Sequence, residues 1–358
     1  MNRMMGAALI GLLAALGAAA QSHAQEFRAV TVVVGFAPGG GDEEAGGAGG
    51  GALRQRSRPE PTYDQMALLL QHHLGKFLPG KPLVSVRNTP GAGSRAALAQ
   101  LMRQAPRDGS TIAILGAAAL RETALEQNAA NDISRLGWIG GLSREIYACV
   151  ARPETGVRSL EDARTTEAFF GAVDPRTRAF RHASALAMLM GAKARIITGY
   201  NDSEEIISNL PRKELDGLCG WPVASLRSRY ADWLSDGKLR VLAQFGPERD
   251  PLFAYAPTGA EAAPAQSAVL GLLDQEGLYA WPLAAPPGLP TERLDTLRRA
   301  FAEMLRDPVA LAEANGFGLA IAPVPGEDIA AAFEKLRDAS PATVATLRRL
   351  STLESSRR

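Results

Sequence analysis

The chain has 358 residues, and its 39 lysine and arginine side chains nearly balance its 38 aspartate and glutamate side chains, which leaves a formal net charge of +1. Such a balance gives no electrostatic reason to expect binding to nucleic acid, which requires a basic surface. The length is sufficient for two lobes of ordinary size, each with a hydrophobic core.

The first 24 residues have the pattern of a secretory signal peptide. A basic start at Arg3 is followed by the apolar run MMGAALIGLLAALGAAA and by small residues that predict cleavage after Ala24. A retained membrane anchor is the alternative, although a spanning helix needs about 20 apolar residues. In an exported chain the only two cysteines, Cys149 and Cys219, either form one disulfide or remain two separate buried thiols.

Strand and helix patterns alternate from residue 30 onward. The run VTVVVG (30–35) predicts a strand that ends at three glycines, Gly39 to Gly41. A helix is predicted over 63–74, with Thr62 and Gln65 as a capping box and Gly75 at its C-cap. Strands at 83–87 and 111–115 flank a helix around 94–104, for which Ser94 is the predicted N-cap.

The alternation of strands and helices continues toward the C-terminal part. Strands separated by helices predict βαβ units and a mainly parallel sheet in each lobe. The predicted strands are 146–151, 169–173, 194–200, 215–221, 239–245 and 278–285. The predicted helices begin at 159, at about 177, at Asp202 or Ser203 and at about 224, and then cover 291–305 with Thr291 as N-cap, 308–315 after Asp307, and about 327–338.

The sequence lacks the common catalytic and nucleotide-binding motifs. Gly39 to Gly41 do not form G-x-G-x-x-G, and neither G-x-x-x-x-G-K-[ST] nor G-x-S-x-G occurs. A secreted hydrolase remains an alternative with Ser94 as its one candidate nucleophile and no evident base. His72 and His73, adjacent on a helix, are expected to point in different directions and not to share a metal. We therefore expect no enzyme, cofactor or metal.

Small-residue turns recur instead between strands and helices: FAPGGG, NTPGAGSR, ILGAAAL, FGAVDP, TGYNDSEE and LCGWP. Backbone N–H groups in such turns, backed by a helix N-terminus, form anion sites without arginine. Several of them facing one cleft would hold a carboxylate. The alternative is that each turn is an ordinary connection of an α/β fold.

In their order and in their residues, these segments resemble those of the tripartite tricarboxylate transporter receptors, also called Bug-type solute-binding proteins. The resemblance extends from about residue 28 to 338, and the segment NTPGAGS is its most specific part. It implies a periplasmic, monomeric α/β protein of the Venus-flytrap kind. Lobe 1 would comprise 25–121 and 246–358, and lobe 2 would comprise 122–245. Such a protein captures a small organic acid between the lobes and passes it to membrane carrier subunits.

Matching the motifs to this sequence gives a set of candidate ligand-binding residues. Those of lobe 1 are Phe36, Ala37, Pro38, Gly39, Gly40, Tyr63, Asp64, Gly91, Ala92, Gly93 and Ser94. Those of lobe 2 are Ala172, Tyr200, Gly220 and Trp221. A sensor that presents its closed form to a signalling receptor is a second interpretation of the same fold.

The sequence departs from the family pattern in two places. About twenty residues, 42–61, separate the glycines from the helix at Tyr63, and their composition is that of a flexible insertion. Acidic residues also follow the predicted lobe 2 strands, at Asp174, Asp202, Glu204 and Glu205. Because they would repel a carboxylate unless they bind an amine or point outward, the charge type of the ligand stays open.

Overall fold

A computed structural model describes residues 26–38, 62–126 and 132–354, together with the backbone of 356–357. The signal-peptide prediction, Gly39, Gly40 and the insertion at 42–61 lie outside these ranges. Within them the chain forms two six-stranded sheets with helices packed against both. None of the helices in these ranges is long and apolar enough to cross a membrane.

The first sheet has the strand order β11-β4-β10-β3-β1-β2. Its strands are β1 (Ala29–Val34), β2 (Leu83–Asn88), β3 (Thr111–Ile114), β4 (Gly137–Gly141), β10 (Pro282–Ala285) and β11 (Val324–Pro325). The helices that accompany it are α1 (Tyr63–His73), α2 (Arg95–Arg103), α3 (Ala117–Glu126), α11 (Thr291–Met304), α12 (Pro308–Gly316) and α13 (Gly326–Arg337).

The second sheet has the strand order β12-β7-β6-β8-β5-β9. Its strands are β5 (Tyr147–Ala151), β6 (Ala168–Gly171), β7 (Ala194–Thr198), β8 (Gly217–Pro222), β9 (Arg240–Phe245) and β12 (Ser356–Arg357). Its helices are α4 (Leu160–Thr165), α5 (Arg178–Met188), α6 (Ser203–Asn209), α7 (Val223–Arg229), α8 (Ala231–Ser235), α9 (Gly259–Ala262), α10 (Ser267–Asp274) and α14 (Pro341–Arg349).

The predicted α/β class with two sheets is confirmed, but both sheets are mixed rather than mainly parallel. Strands β1, β2 and β3 are parallel, and so are β6, β7 and β8. The antiparallel strands, such as β4 beside β10 and β5 beside β9, flank two of the three passages of the chain between the sheets. The third passage leads from β11 to β12, so the end of the predicted lobe 1 segment 246–358 pairs in the second sheet. The first passage follows Gly141, because β4 still pairs in the first sheet, and this differs from the predicted boundary at 122.

The continuous apolar run of β1 is explained by helices on both faces of its sheet. Val32 belongs to a buried cluster with Met66 of α1, whereas Val33 belongs to the other buried cluster, with Leu98 of α2. Successive side chains of a strand point to opposite faces, so a strand covered on both sides is apolar throughout. This packing fixes the positions at which the turns leave the sheet.

Most local predictions are confirmed, and a few are wrong in detail. The capping box of Thr62 and Gln65 is present at α1. Gly75 is not the C-cap, because α1 ends at His73 and Gly75 lies in a 3-10 turn at Leu74–Lys76. Thr291 is instead the first residue of α11. The N-cap of this helix is Pro290, whose side chain has no atom that can accept a hydrogen bond.

The structure pairs the two cysteines of the chain. Cys149 on β5 and Cys219 on β8 form a disulfide across neighbouring antiparallel strands, with their Cα atoms 3.9 Å apart. Both residues are buried. The bond therefore lies in the core of the second sheet, between strands that are already hydrogen-bonded to each other.

Candidate ligand-binding site

The first group of candidate residues lies at one edge of the first sheet. Parallel strands β1, β2 and β3 all end there, so the turns that follow Val34, Asn88 and Ile114 are neighbours. The Thr89 N–H donates to the Val34 carbonyl at 2.8 Å, and the Gly35 N–H donates to the Ile114 carbonyl at 3.3 Å. In an open α/β sheet this edge is the usual place for a ligand.

Asn88 organises the start of the glycine turn, although the sequence comparison did not select it. Its Nδ2 group donates to the Phe36 carbonyl at 2.9 Å and to Asp64 Oδ1 at 2.7 Å. One amide thus ties the end of β1 to the first turn of α1. Asp64, a predicted ligand residue, therefore helps to hold the protein's own amide in place.

Tyr63 is a packing residue at the same edge. Its ring lies between Phe36, at a centroid distance of 4.5 Å, and Trp281, at 4.9 Å. The side chain is 1 % exposed, and its hydroxyl donates to the Ala280 carbonyl at 3.3 Å. The partly exposed Phe36 and Trp281 rings are thus the accessible ends of this aromatic column.

The turn from Gly91 to Ser94 has an unusual backbone. All four residues have positive φ, with values of 146°, 47°, 61° and 81° in chain order. Gly91, Ala92 and Gly93 are exposed. Within the described ranges, the N–H groups of the exposed Ala92 and Gly93 donate no backbone hydrogen bond. Such a turn presents main-chain donors to solvent and is suited to an anion.

Ser94 occupies the predicted N-cap position of α2, but its hydroxyl does not cap that helix. The Oγ atom instead accepts a hydrogen bond from the Gly116 N–H at 3.0 Å, and the residue is fully buried. It fills the space next to Gly35, where an added Cβ would lie 1.8 Å from Ser94 Oγ. A buried hydroxyl held in this way does not fit the nucleophile of the hydrolase alternative.

The second group of candidates lies at the corresponding edge of the second sheet. Ala172, Tyr200, Gly220 and Trp221 all lie at or just beyond the carboxyl ends of β6, β7 and β8, and all four are buried. The Ala172 N–H donates to the Ile197 carbonyl at 2.9 Å, so it already has an acceptor. These four residues therefore lie below the surface at this edge. The atoms that are exposed there belong to neighbouring residues.

Gly220 is tightly packed against the start of α5. It has a φ of +72°, and an added Cβ would lie 2.9 Å from the Ala179 nitrogen. Its carbonyl accepts a hydrogen bond from Arg178 Nε at 3.3 Å, and Arg178 Nη1 donates to the Tyr147 hydroxyl at 3.2 Å. The first turn of α5 therefore rests directly on the end of β8.

Each acidic residue that left the ligand charge open has a partner in its own half of the chain. The pairs are Asp174 with Arg176 at 3.0 Å, Asp202 with the Glu205 N–H at 2.8 Å, Glu204 with Arg229 at 2.5 Å, and Glu205 with the Asn201 N–H at 2.8 Å. Two carboxylates are offset by arginines and two accept backbone N–H groups. The main electrostatic objection to a carboxylate ligand is thereby weakened.

A buried ion cluster joins the two halves of the molecule. Glu276 accepts from Arg121 of α3 at 3.3 Å and from Arg181 of α5 at 2.8 Å, and all three side chains are at most 7 % exposed. Burial alone would raise the pKa of Glu276, but the two guanidinium groups hold it well below its usual value. Two buried guanidinium groups therefore share one buried carboxylate.

The same cluster connects the helices that follow the carboxyl edges of the two sheets. Helix α3 begins three residues after β3 ends, and α5 begins shortly after β6 ends. Arg121 and Arg181 lie one turn into these helices and bind the same carboxylate. The carboxyl edges of both sheets therefore lie on the same side of the molecule, close to Glu276.

His182 lies beside this cluster but stays uncharged. Its ring is fully buried and stacks on Phe245 at a centroid distance of 4.4 Å. Burial lowers the pKa of His182 to about 3, and the nearby arginines act in the same direction. Neither ring nitrogen has a hydrogen-bond partner among the described residues.

His72 and His73 do not point apart as predicted. His72 Nδ1 lies 2.7 Å from Glu313 Oε1 and His73 Nε2 lies 2.6 Å from Glu313 Oε2. Lys76 Nζ donates to His73 Nδ1 at 2.9 Å, so His73 donates to Glu313 through Nε2. Both rings converge on one carboxylate and join α1 to α12, far along the chain.

The whole fold matches those of several solved proteins. A TctC solute-binding protein from Polaromonas, solved with no ligand, has a TM-score of 0.65 and 18% identity over 91% of this chain and 98% of that one. The periplasmic binding protein BugD has a TM-score of 0.53 and 17% identity over 92% and 99%. This chain has the fold of periplasmic solute-binding proteins.

A third structure with this solute-binding fold contains a ligand. MatC from Rhodopseudomonas palustris, with bound malate, has a TM-score of 0.53 and 17% identity over 90% of this chain and 99% of that one. No family model and no curated protein matches the sequence. At these identities the likeness shows a shared solute-binding fold.

Proposed function

We propose that the protein is a periplasmic solute-binding protein of the tripartite tricarboxylate receptor type, which captures a small carboxylated molecule between its two lobes. The observation that carries this proposal is that α3 and α5, which follow the carboxyl edges of the two sheets, bind the same buried carboxylate, Glu276, through Arg121 and Arg181. Malate in MatC, which has the same fold, supports a carboxylate as the ligand class.

The lobe 1 turn would supply the main-chain donors. Ala92 and Gly93 would present N–H groups at the edge, and Phe36 and Trp281 would border the site with partly exposed rings. Donors held by the fold cost little to order when a ligand binds. Ligand contacts from both lobes would favour the closed form, which membrane carrier subunits then recognise.

Gly93 allows a direct test of this turn. A Cβ at Gly93 has no atom within 4 Å, and its φ of +61° is one that asparagine and aspartate tolerate. Gly93→Asp and Gly93→Asn have the same shape and differ by one negative charge. We expect Gly93→Asp to weaken carboxylate binding at least tenfold, which corresponds to about 1.4 kcal/mol, and Gly93→Asn to retain it.

The measurement is a thermal-shift screen of the mature chain with a panel of small carboxylates that includes malate, followed by calorimetry on the compounds that stabilise it. If no carboxylate raises the melting temperature, the proposed function is wrong. Equal affinities of Gly93→Asp and Gly93→Asn would place the ligand away from this turn.

A further inference from the structure

A separate groove lies on the outer part of the second sheet. It has a volume of about 380 Å³ and is bordered by α4, by the edge strand β9 and by residues 255–262. Its accessible apolar surface comes from Tyr255, which is exposed, and from Pro257 and Ala262, which are partly exposed. Its size is within the range of small-molecule sites, which are about 300–1,000 Å³.

The groove is remote from the proposed interlobe site. Strands β8 and β9 are both antiparallel to β5, so β9 runs parallel to β8. Arg240 is the first residue of β9 and therefore lies at the amino edge of the sheet, opposite the edge that carries Gly220 and Trp221. A ligand in this groove would not touch the proposed carboxylate turns.

The charges that border the groove are only partly matched. Arg164 binds Glu161 at 3.0 Å, and Glu261 binds Arg249. Both glutamates are thus neutralised by arginine. Arg158 and Arg240 also line the groove, and neither has a carboxylate within 4.0 Å among the described residues. The lining therefore offers the guanidinium groups of Arg240 and Arg158 to an anion, and that of Arg158 also interacts with the nearby Asp162 carboxylate.

Arg240 is positioned by an aromatic ring. Its guanidinium carbon lies 3.8 Å from the centroid of the Tyr255 ring, a cation–π contact. Stacking uses the face of the guanidinium and leaves its N–H groups free to donate within the plane. A planar carboxylate is the acceptor that best fits such a fork of donors.

We propose that this groove is a second binding site, which takes a carboxylate joined to a small apolar group. The carboxylate would bind Arg158 and Arg240 at the rim, and the apolar group would cover Tyr255, Pro257 and Ala262. The neutralised glutamates, Glu161 and Glu261, would not oppose it. The site is independent of the interlobe site and of the proposed transport function.

Benzoate is a suitable probe, with acetate as a control for the charge alone and benzyl alcohol as a control for the ring alone. The full mature chain is titrated by two-dimensional NMR, which measures weak affinities and locates the shifted amides. We expect benzoate to shift residues in 158–164, 240–242 and 255–262 and to bind at least fivefold more tightly than either control.

Arg158→Gln and Arg240→Gln should each weaken benzoate binding at least fivefold. Arg212→Gln is the matched control, because Arg212 is an exposed arginine of the same half of the chain outside the groove, and it should bind benzoate as the wild type does. All four proteins are compared by circular dichroism and melting temperature, so that a loss of folding is recognised.

Three results would overturn the proposal. Benzoate could bind a folded Arg158→Gln/Arg240→Gln double variant as tightly as the wild type. Benzyl alcohol could bind as tightly as benzoate, which would leave no role for the guanidinium groups. Finally, saturation with an interlobe ligand such as malate could abolish the benzoate shifts, which would place benzoate in the interlobe site. Failure of malate to bind leaves the first two comparisons intact.

Discussion

At the scale of single residues, the structure assigns structural roles to several side chains that the sequence offered as ligand contacts. Ser94 closes the space between β1 and β3, Asp64 holds Asn88, and Tyr63 packs between two rings. Their positions next to the proposed site explain why motif matching selected them. What they contribute is the shape of the turn, and the proposed donors to the ligand are main-chain N–H groups.

Ser94 gives a prediction on stability. Ser94→Ala removes the acceptor of the buried Gly116 N–H, and an unsatisfied buried donor costs about 1–3 kcal/mol. We expect the free energy of unfolding to fall by that amount in urea titrations. Ser235→Ala, which changes an exposed serine on α8, should have an effect near zero. An unchanged Ser94→Ala would show that Gly116 finds another acceptor.

Asp274 predicts a dependence of stability on pH. Burial raises the pKa of Asp274 to about 7, although the Gly246 N–H that it accepts at 3.0 Å acts in the opposite direction. The folded state therefore binds a proton more strongly than the unfolded state, whose aspartate has a pKa of about 3.9. This stabilisation is complete below pH 4 and is lost as the pH rises through 7.

Asp274→Asn should remove this dependence, because asparagine keeps the acceptor for Gly246 and cannot ionise. We expect the variant to be more stable than the wild type at pH 8 and to lose the decline between pH 4 and 8. Urea titrations across this range measure the difference, and the exposed Asp232→Asn should behave as the wild type does. A parallel decline in Asp274→Asn would exclude Asp274 as its source.

At the scale of elements, the disulfide joins strands that already pair. Cys149 and Cys219 are 70 residues apart in sequence, and closing a loop of that size stabilises the folded state by about 4 kcal/mol on the chain-entropy model. Because β5 and β8 are hydrogen-bonded neighbours, the bond closes this loop within one sheet. The export that the N-terminal sequence predicts would provide an oxidising compartment.

Reduction gives the corresponding prediction. The reduced wild type differs from the oxidised one only by the S–S bond and two thiol hydrogens, so the difference in their free energies of unfolding mainly reports the cross-link. We expect reduction to lower it by about 2–5 kcal/mol. The double variant Cys149→Ala/Cys219→Ala should not respond to the reductant. Equal stabilities of the oxidised and reduced wild type would show that the bond does not constrain the unfolded chain.

At the scale of the whole molecule, the buried cluster of Arg121, Glu276 and Arg181 is the described contact that ties the helices of both sheets to the connecting segment. It lies beside the two edges at which the ligand is proposed to bind. Any motion that separates α3 from α5 must break at least one of its ion pairs. The cluster therefore restricts how the two halves can move.

Glu276→Gln tests this restriction. It removes the carboxylate that both buried guanidinium groups bind, and breaking a buried ion pair typically costs about 3–5 kcal/mol. We expect a loss of that size in the free energy of unfolding. Glu167→Gln, which breaks the exposed pair with Arg195, should cost about 1 kcal/mol or less. Similar losses in both variants would mean that the cluster does not contribute as a buried unit.

The local part of the fold could be predicted from the sequence. The capping box at Thr62, most helix and strand positions and the glycine turns depend on residues within a few positions of each other, so their patterns can be read directly. Strand β4 could not be predicted in this way, because GWIGG shows no clear alternation of apolar and polar side chains. It becomes a strand through pairing with β10 and β11.

By itself the sequence determined the alternating α/β architecture and the series of small-residue turns, because hydrophobic period and backbone propensity act locally. The tertiary structure decided which groups meet. It brought Arg121 and Arg181 to Glu276 across separations of 155 and 95 residues, paired Cys149 with Cys219, and turned the Ser94 hydroxyl toward Gly116. Such partners are chosen by the packing of the two sheets, which no local pattern encodes.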